Sequence, residues 1–99
     1  MSESKWVTFE EMKTAAMKDK EFVREYETLR EEYELAREVI YLRKQRNMTQ
    51  QELAEKAGTS QPAIARLESG NYRNVSMSFM RKIGKVLGAY PTIHLKELG

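Results

Sequence analysis

The chain has 99 residues, a net charge of +2 and no cysteine, which suits one small domain with a modest core and excludes disulfides and thiolate metal sites. No apolar run approaches the ~18 residues of a membrane span, and no signal-peptide pattern opens the sequence, so a cytoplasmic protein without membrane association is expected. The charge is uneven. Residues 1–40 hold seven Lys/Arg against eleven Asp/Glu, a balance of −4, while residues 41–99 hold ten against four, a balance of +6. A basic half points to a polyanion as partner; the plainer alternative is an acidic solvated helix joined to an ordinary basic domain.

Met1–Lys5 is a polar end. Trp6, Val7 and Phe9 cluster around Thr8, and Thr8 with Glu11 has the spacing of a capping box. The pattern predicts a helix from Phe9 to about Lys18 with Met12, Ala15 and Ala16 on one side. So short a helix needs something to pack on. Either Trp6 and Phe9 cap the domain's own core, or with Met12 they are anchors for a partner protein.

Asp19 reads as the N-cap of the next helix, and no Gly or Pro interrupts Glu21 to Arg46. Phe22, Tyr26, Leu29, Tyr33, Ala36 and Ile40 recur at steps of three and four. One long helix is preferred over two with a kink near Arg30–Tyr33. Glu21–Glu25, Glu27–Glu31 and Glu34–Glu38 are unfavourable like-charge pairs, partly offset by Arg24, Arg30 and Arg37. Arg43, Lys44 and Arg46 give the helix a cationic end that suits its dipole. From Leu35 onward it is expected to be the first helix of the domain, leaving its front part, with Phe22 and Tyr26, available to another chain.

Thr49 to Gly70 is the most informative stretch. Thr49 with Glu52 forms a capping box, Leu53, Ala54 and Ala57 share one face, and Gly58 is placed to end the helix in the left-handed conformation. Thr59 or Ser60 caps a second helix with Pro62 in its first turn, and Gly70 stops it. Ile64 and Leu67 point to the core, while Gln61, Ala63 and Arg66 point outward. Two helices, a short turn with Gly and an outward face of Gln and Arg predict a DNA-reading helix-turn-helix.

Asn71–Asn74 reads as a turn-rich loop. Ser76 is expected to cap Met77–Leu87, whose core face is Phe79, Met80, Ile83, Val86 and Leu87, with Gly84 marking a close helix approach and Gly88 the end. Tyr90–Lys96 alternates polar and apolar residues and predicts one short strand, which would add to a second copy or to a partner's sheet edge, with Pro91 limiting the edge that pairs.

Catalysis finds little support. The single histidine, His94, stands on the alternating segment, and there is no phosphate-binding glycine loop, metal-spaced cluster or nucleophile elbow. No enzyme activity, cofactor, metal or small-molecule ligand is expected. DNA binding has a mechanism. The helix starting near Gln61 can enter the major groove by its N-terminus, with Gln61 pairing to an adenine edge and Arg66 reaching guanine or a phosphate. Ala63 is small enough for close approach or for touching a thymine methyl. Thr49 and Gln50 sit where backbone N–H groups hold a phosphate, Ser60 stands at the head of the reading helix, and Asn71 and Arg73 are placed for a neighbouring phosphate.

At these residues the chain resembles the Cro/C1-type (XRE family) helix-turn-helix of phage repressors, from about Leu35 to Leu87, through Gln50, Leu53, Ala54, Gly58, Gln61, Ile64, Leu67, Glu68 and Gly70. The resemblance implies a λ-repressor-like domain in which Gln50 contacts phosphate and Gln61, Ala63 and Arg66 face bases. It also implies an Arg43–Glu68 ion pair that ties the first helix to the recognition helix. Pro62 and Ala65 replace polar residues common in phage proteins. Ahead of the motif, Lys18–Ile40 is similar to HigA-type antitoxins of toxin–antitoxin pairs. That implies a dimeric repressor of its own operon that also silences a basic, RelE/HigB-like mRNA-cleaving toxin, for which the acidic arm is a fitting complement. The expectation is therefore an all-α protein: a helical toxin-binding arm over residues 1–33, a helix-turn-helix domain over 34–88, and a strand over 89–99 for a dimer contact. The alternative is a free-standing phage-like repressor.

Overall fold

The structure is a computed structural model that describes residues 19–97. The helix expected over Phe9–Lys18, and with it Trp6, Phe9 and Met12, lies outside the described residues. Four helices are described: α1 (Lys20–Gln45), α2 (Gln50–Ala57), α3 (Gln61–Glu68) and α4 (Met77–Leu87). Residues 29–94 form one compact unit, and residues 19–28 belong with 95–97 to another, in which Lys96 Nζ stands 3.8 Å from Glu27 Oε2.

Local chemistry accounts for each helix. Asp19 Oδ1 accepts from the backbone N–H of Glu21 at 2.9 Å, and α1 then runs as one helix of 26 residues, so the alternative of two helices is not realised. Arg30 donates to Glu34 at 2.7 Å one turn on, the offset that its acidic face needs. Beyond the helix, Asn47 takes φ +54° and the N–H of Met48 reaches back to the carbonyl of Arg43 at 3.2 Å. Asn tolerates this left-handed conformation better than other side chains do, and the bond satisfies a carbonyl at the helix end.

The capping box of α2 is complete: Thr49 Oγ1 accepts from the Glu52 N–H at 3.0 Å, and Glu52 Oε1 accepts from the Thr49 N–H at 2.8 Å. Gly58 closes the helix at φ +71°, and nothing stands within 4 Å of where a Cβ would lie. Its requirement is therefore conformational, not steric. Ser60, not Thr59, caps α3, accepting from the Ala63 N–H at 3.3 Å. Ser76 caps α4, accepting from the Phe79 N–H at 3.0 Å.

α2 packs on both α3 and α4. The core is Val39, Leu53, Ala54, Ala57, Ile64, Leu67, Ile83 and Leu87, bordered by half-buried Leu35, Leu42, Met48, Tyr72, Val75, Phe79 and Val86. Full burial of Leu53, Ile64 and Leu87 contributes about 1.5–3 kcal/mol each. From α1 only Ala36 and Val39 are buried. The long stripe read along this helix is thus replaced within the domain by a row of Leu35, Ala36, Val39 and Leu42, with Leu29 and Tyr33 left exposed.

Two expectations about the end of the chain are corrected. Gly84 does mark a close approach, but to the chain's own backbone: a Cβ there would lie 2.5 Å from the Ala89 carbonyl oxygen, because the Ala89 N–H returns to the Gly84 carbonyl at 2.8 Å. The short strand over Tyr90–Lys96 is absent. Ala89–Glu97 has no regular secondary structure, and the described residues contain no strand. Alternation alone does not make a strand, whose backbone groups need a ladder partner, and Pro91 contributes no N–H to one. No helix among the described residues is long and apolar enough to cross a membrane.

Candidate nucleic-acid interface

Gln50 and Gln61 are the first residues of α2 and α3, so the turn between the helices brings two N-terminal ends together. Gln61 Nε2 donates to Gln50 Oε1 at 2.7 Å, and both side chains are half-buried. Gln50 Nε2 in turn donates to Glu68 Oε1 at 2.9 Å. Glu68 also accepts from Arg43, at Oε2 from Nε at 2.6 Å and at Oε1 from Nη2 at 3.0 Å, while Arg43 Nη1 donates to the Met48 carbonyl at 2.7 Å. The side chains of Arg43 and Glu68 retain only 12% and 5% of their exposure. At that burial either charge left without its partner would be costly, and the two-pronged pairing fixes the geometry in which the two meet. The hydrogen bond to Glu68 raises the Arg43 guanidinium further above its already high range, so it is a cation at every working pH.

Arg66 is exposed on α3, its guanidinium carbon 5.4 Å from the centroid of the Tyr72 ring. Tyr72 is itself braced by Phe79, ring centroids 5.2 Å apart. A guanidinium resting on an aromatic face keeps its N–H rim open, so the contact orients the donors without consuming them. Ala63 is half-buried one turn into α3, and its N–H is taken by Ser60. Thr49 and Ser60 are exposed, each with its hydroxyl oxygen occupied as a cap acceptor. Asn71 is exposed in the following loop. Arg73 is exposed too, but its Nε lies 3.5 Å from Glu32 Oε1, which ties that loop to α1. Of the residues expected to meet a protein partner, Phe22 is exposed and Tyr26 half-buried, their rings stacked at 6.3 Å.

The sequence named Gln50 and Gln61 and paired Arg43 with Glu68, but nothing in it pointed to the bonds from Gln50 to Glu68 and from Gln61 to Gln50. It passed over Tyr72 and Glu32. A tyrosine just after the glycine that stops α3 was a usable signal for the first; nothing local to Glu32 distinguished it from the other carboxylates of α1.

Among the described residues, no group of three or more His, Cys, Asp or Glu is placed to hold a metal ion. His94 is exposed. A profile described as helix-turn-helix matches residues 39–94, more than half the chain, and covers α2, the turn, α3 and α4. No curated protein matches the chain. With two capped helices, a left-handed glycine between them and the matching profile over more than half the chain, the protein belongs to the helix-turn-helix family of DNA-binding transcription regulators, in its Cro/C1-type form.

Proposed function

We propose that the protein represses transcription from an operator that it reads with α3, and that it is also the antitoxin partner of a basic, RelE/HigB-like toxin. The observation that carries the first part is the bonded pair Gln61–Gln50 at the joined helix N-termini, with Arg66 held open on the same helix. Gln61 pairs with an adenine edge, Arg66 with guanine or a phosphate, and Ala63 allows close approach. Thr49, Gln50 and Ser60 lie at helix N-termini, where a phosphate is favoured, and Asn71 and Arg73 extend the contact along the backbone. As a dimer the protein would meet a palindrome at two equivalent major-groove faces. Selection from a random duplex pool should enrich one sequence, with affinity that falls as salt rises; failure to bind any duplex in a salt-dependent way would overturn the reading. Arg66→Ala should cost about 1–3 kcal/mol on the selected site and relax one base position. An unchanged preference would remove Arg66 from the base readers.

The antitoxin part is supported by the acidic balance of residues 1–40 and by the exposed Phe22, Leu29 and Tyr33 along α1. Aromatic anchors within an acidic arm are suited to a basic protein surface. In cells that also express the small basic product of an adjoining reading frame, Phe22→Ala combined with Tyr26→Ala should abolish growth protection and leave operator binding intact. Retained protection would favour the free-standing repressor.

A further inference from the structure

We infer that Glu68 is a positioning residue for base recognition: acting through Gln50, it dictates which way round the amide of Gln61 faces. The inference rests on the reading of α3 as the DNA-facing helix. It starts from what each group offers. A carboxylate paired with Arg43 offers acceptors only, so the Gln50 amide must turn its NH2 towards Glu68, as it does at 2.9 Å. With its NH2 turned to Glu68, Gln50 presents its carbonyl oxygen to the neighbour on its other side, and to that acceptor Gln61 must answer with NH2, as it does at 2.7 Å. Each link has one polarity, and the near-complete burial of Glu68 keeps water from substituting for it. What remains on Gln61 is its Oε1 and its second N–H, in a set order.

Adenine presents an N6–H donor beside the N7 acceptor, and a glutamine amide matches both only when its oxygen and nitrogen lie in one of the two possible orders. A glutamine that is free to turn over serves other bases nearly as well. Glu68, which need not touch DNA, thereby narrows what Gln61 accepts. Gln50 is the transmitting group, and the Arg43 fork holds the carboxylate at the head of the chain.

Three variants of the full chain separate this role from a merely structural one. Glu68→Gln replaces an acceptor-only group with an amide whose oxygen can face Arg43 from either side, so Gln50 is no longer forced. Gln50→Ala cuts the chain and leaves the Arg43–Glu68 pair whole. Combining Glu68→Gln with Gln50→Glu moves the carboxylate one link along, where it accepts from both neighbours and restores the polarity of Gln61.

The test starts from the duplex that the unmodified protein selects from a random pool, with the position read by Gln61 identified through Gln61→Ala. The readout is the affinity ratio between an A·T pair and the other pairs at that position, a ratio from which uniform losses of phosphate contact cancel. Glu68→Gln and Gln50→Ala should each lower it several-fold, within the roughly 5- to 150-fold that one bidentate contact commands, and the double variant should recover it. Unchanged ratios in the single variants, or a double variant that stays relaxed, would overturn the inference, as would a Gln61→Ala that shifts no position. Should Glu68→Gln fail to fold, Glu68→Asp, whose shorter carboxylate draws back from Gln50, takes its place with the same expected loss. If the unmodified protein enriches no sequence, the DNA-facing reading falls and takes this inference with it; enrichment with unchanged ratios sinks the inference only.

Discussion

The segment Thr49–Gly70 and the helix α1 are both helical and both charged, yet they are held in shape by different means. Each helix in the segment has eight residues, too few to persist alone in water. Both ends of both helices are closed by side-chain or backbone bonds, and Leu53, Ala54, Ala57, Ile64 and Leu67 are buried. α1 is more than three times as long, buries two residues, and leaves Phe22, Leu29, Tyr33 and Tyr41 exposed. Helix length is thus a poor guide to where the fold is anchored. The ends of α1 are satisfied as well, so what distinguishes the short helices is the share of their residues that is buried.

Removing the polar tie between the two regions should have the largest effect. Arg43→Ala strands the Glu68 carboxylate at 5% exposure and frees the Met48 carbonyl, and should cost about 3–5 kcal/mol in urea unfolding. A loss below 1 kcal/mol would mean that the pair behaves as a surface ion pair and that the two regions are held by apolar contact alone. Next comes the apolar contrast itself. Ile64→Ala should cost about 2–5 kcal/mol, whereas Leu29→Ala, at 51% exposure, should cost less than about 0.5 kcal/mol. Comparable losses at both sites would erase the distinction drawn between them.

The smallest effect probes the caps. Thr49→Ala should cost about 1 kcal/mol, with a pH signature that comes from its partner. The Thr49 backbone N–H, and then its hydroxyl, hold the Glu52 carboxyl below the usual carboxylate range. A carboxyl depressed on folding contributes stability that is present above its unfolded-state pKa and lost as the pH falls through its folded one. Glu52→Gln should therefore flatten the acid side of the stability profile and leave it parallel to that of the unmodified protein above pH ~5. Arg43 is shifted upward from an already high value, so its pairing should add no pH dependence on that side in the working range. An unaltered acid limb in Glu52→Gln would show that the capping box is not the titrating element.

Most of the helix-turn-helix was legible because its signals are local. A threonine three residues before a glutamate and a glycine at a turn each act within one helical turn and are found where the spacing placed them, while of the two caps the spacing allowed for α3 the structure uses Ser60. The strand over Tyr90–Lys96 was misread for the converse reason: pairing is a property of two segments, and alternation reports only one of them. A sustained stripe along α1 looks the same whether or not another element covers it, so the pattern did not mark which of its residues meet the core. Tyr33 continues the pattern of Ala36 and Ile40, yet is 59% exposed.

The sequence by itself determined where the four described helices start and stop, and the family. These depend on contacts between residues four or fewer apart, or on a motif compact enough to be matched as a unit. Beyond the Arg43–Glu68 pair that the resemblance implied, only the tertiary structure decided what the residues of the site do for one another. Arg43, Gln50, Gln61 and Glu68 come from three helices and are as many as 25 positions apart, and their bonds form because α1, α2 and α3 converge on one point. Their one-way chain of hydrogen bonds is the product of that convergence, and no spacing along the sequence announces it.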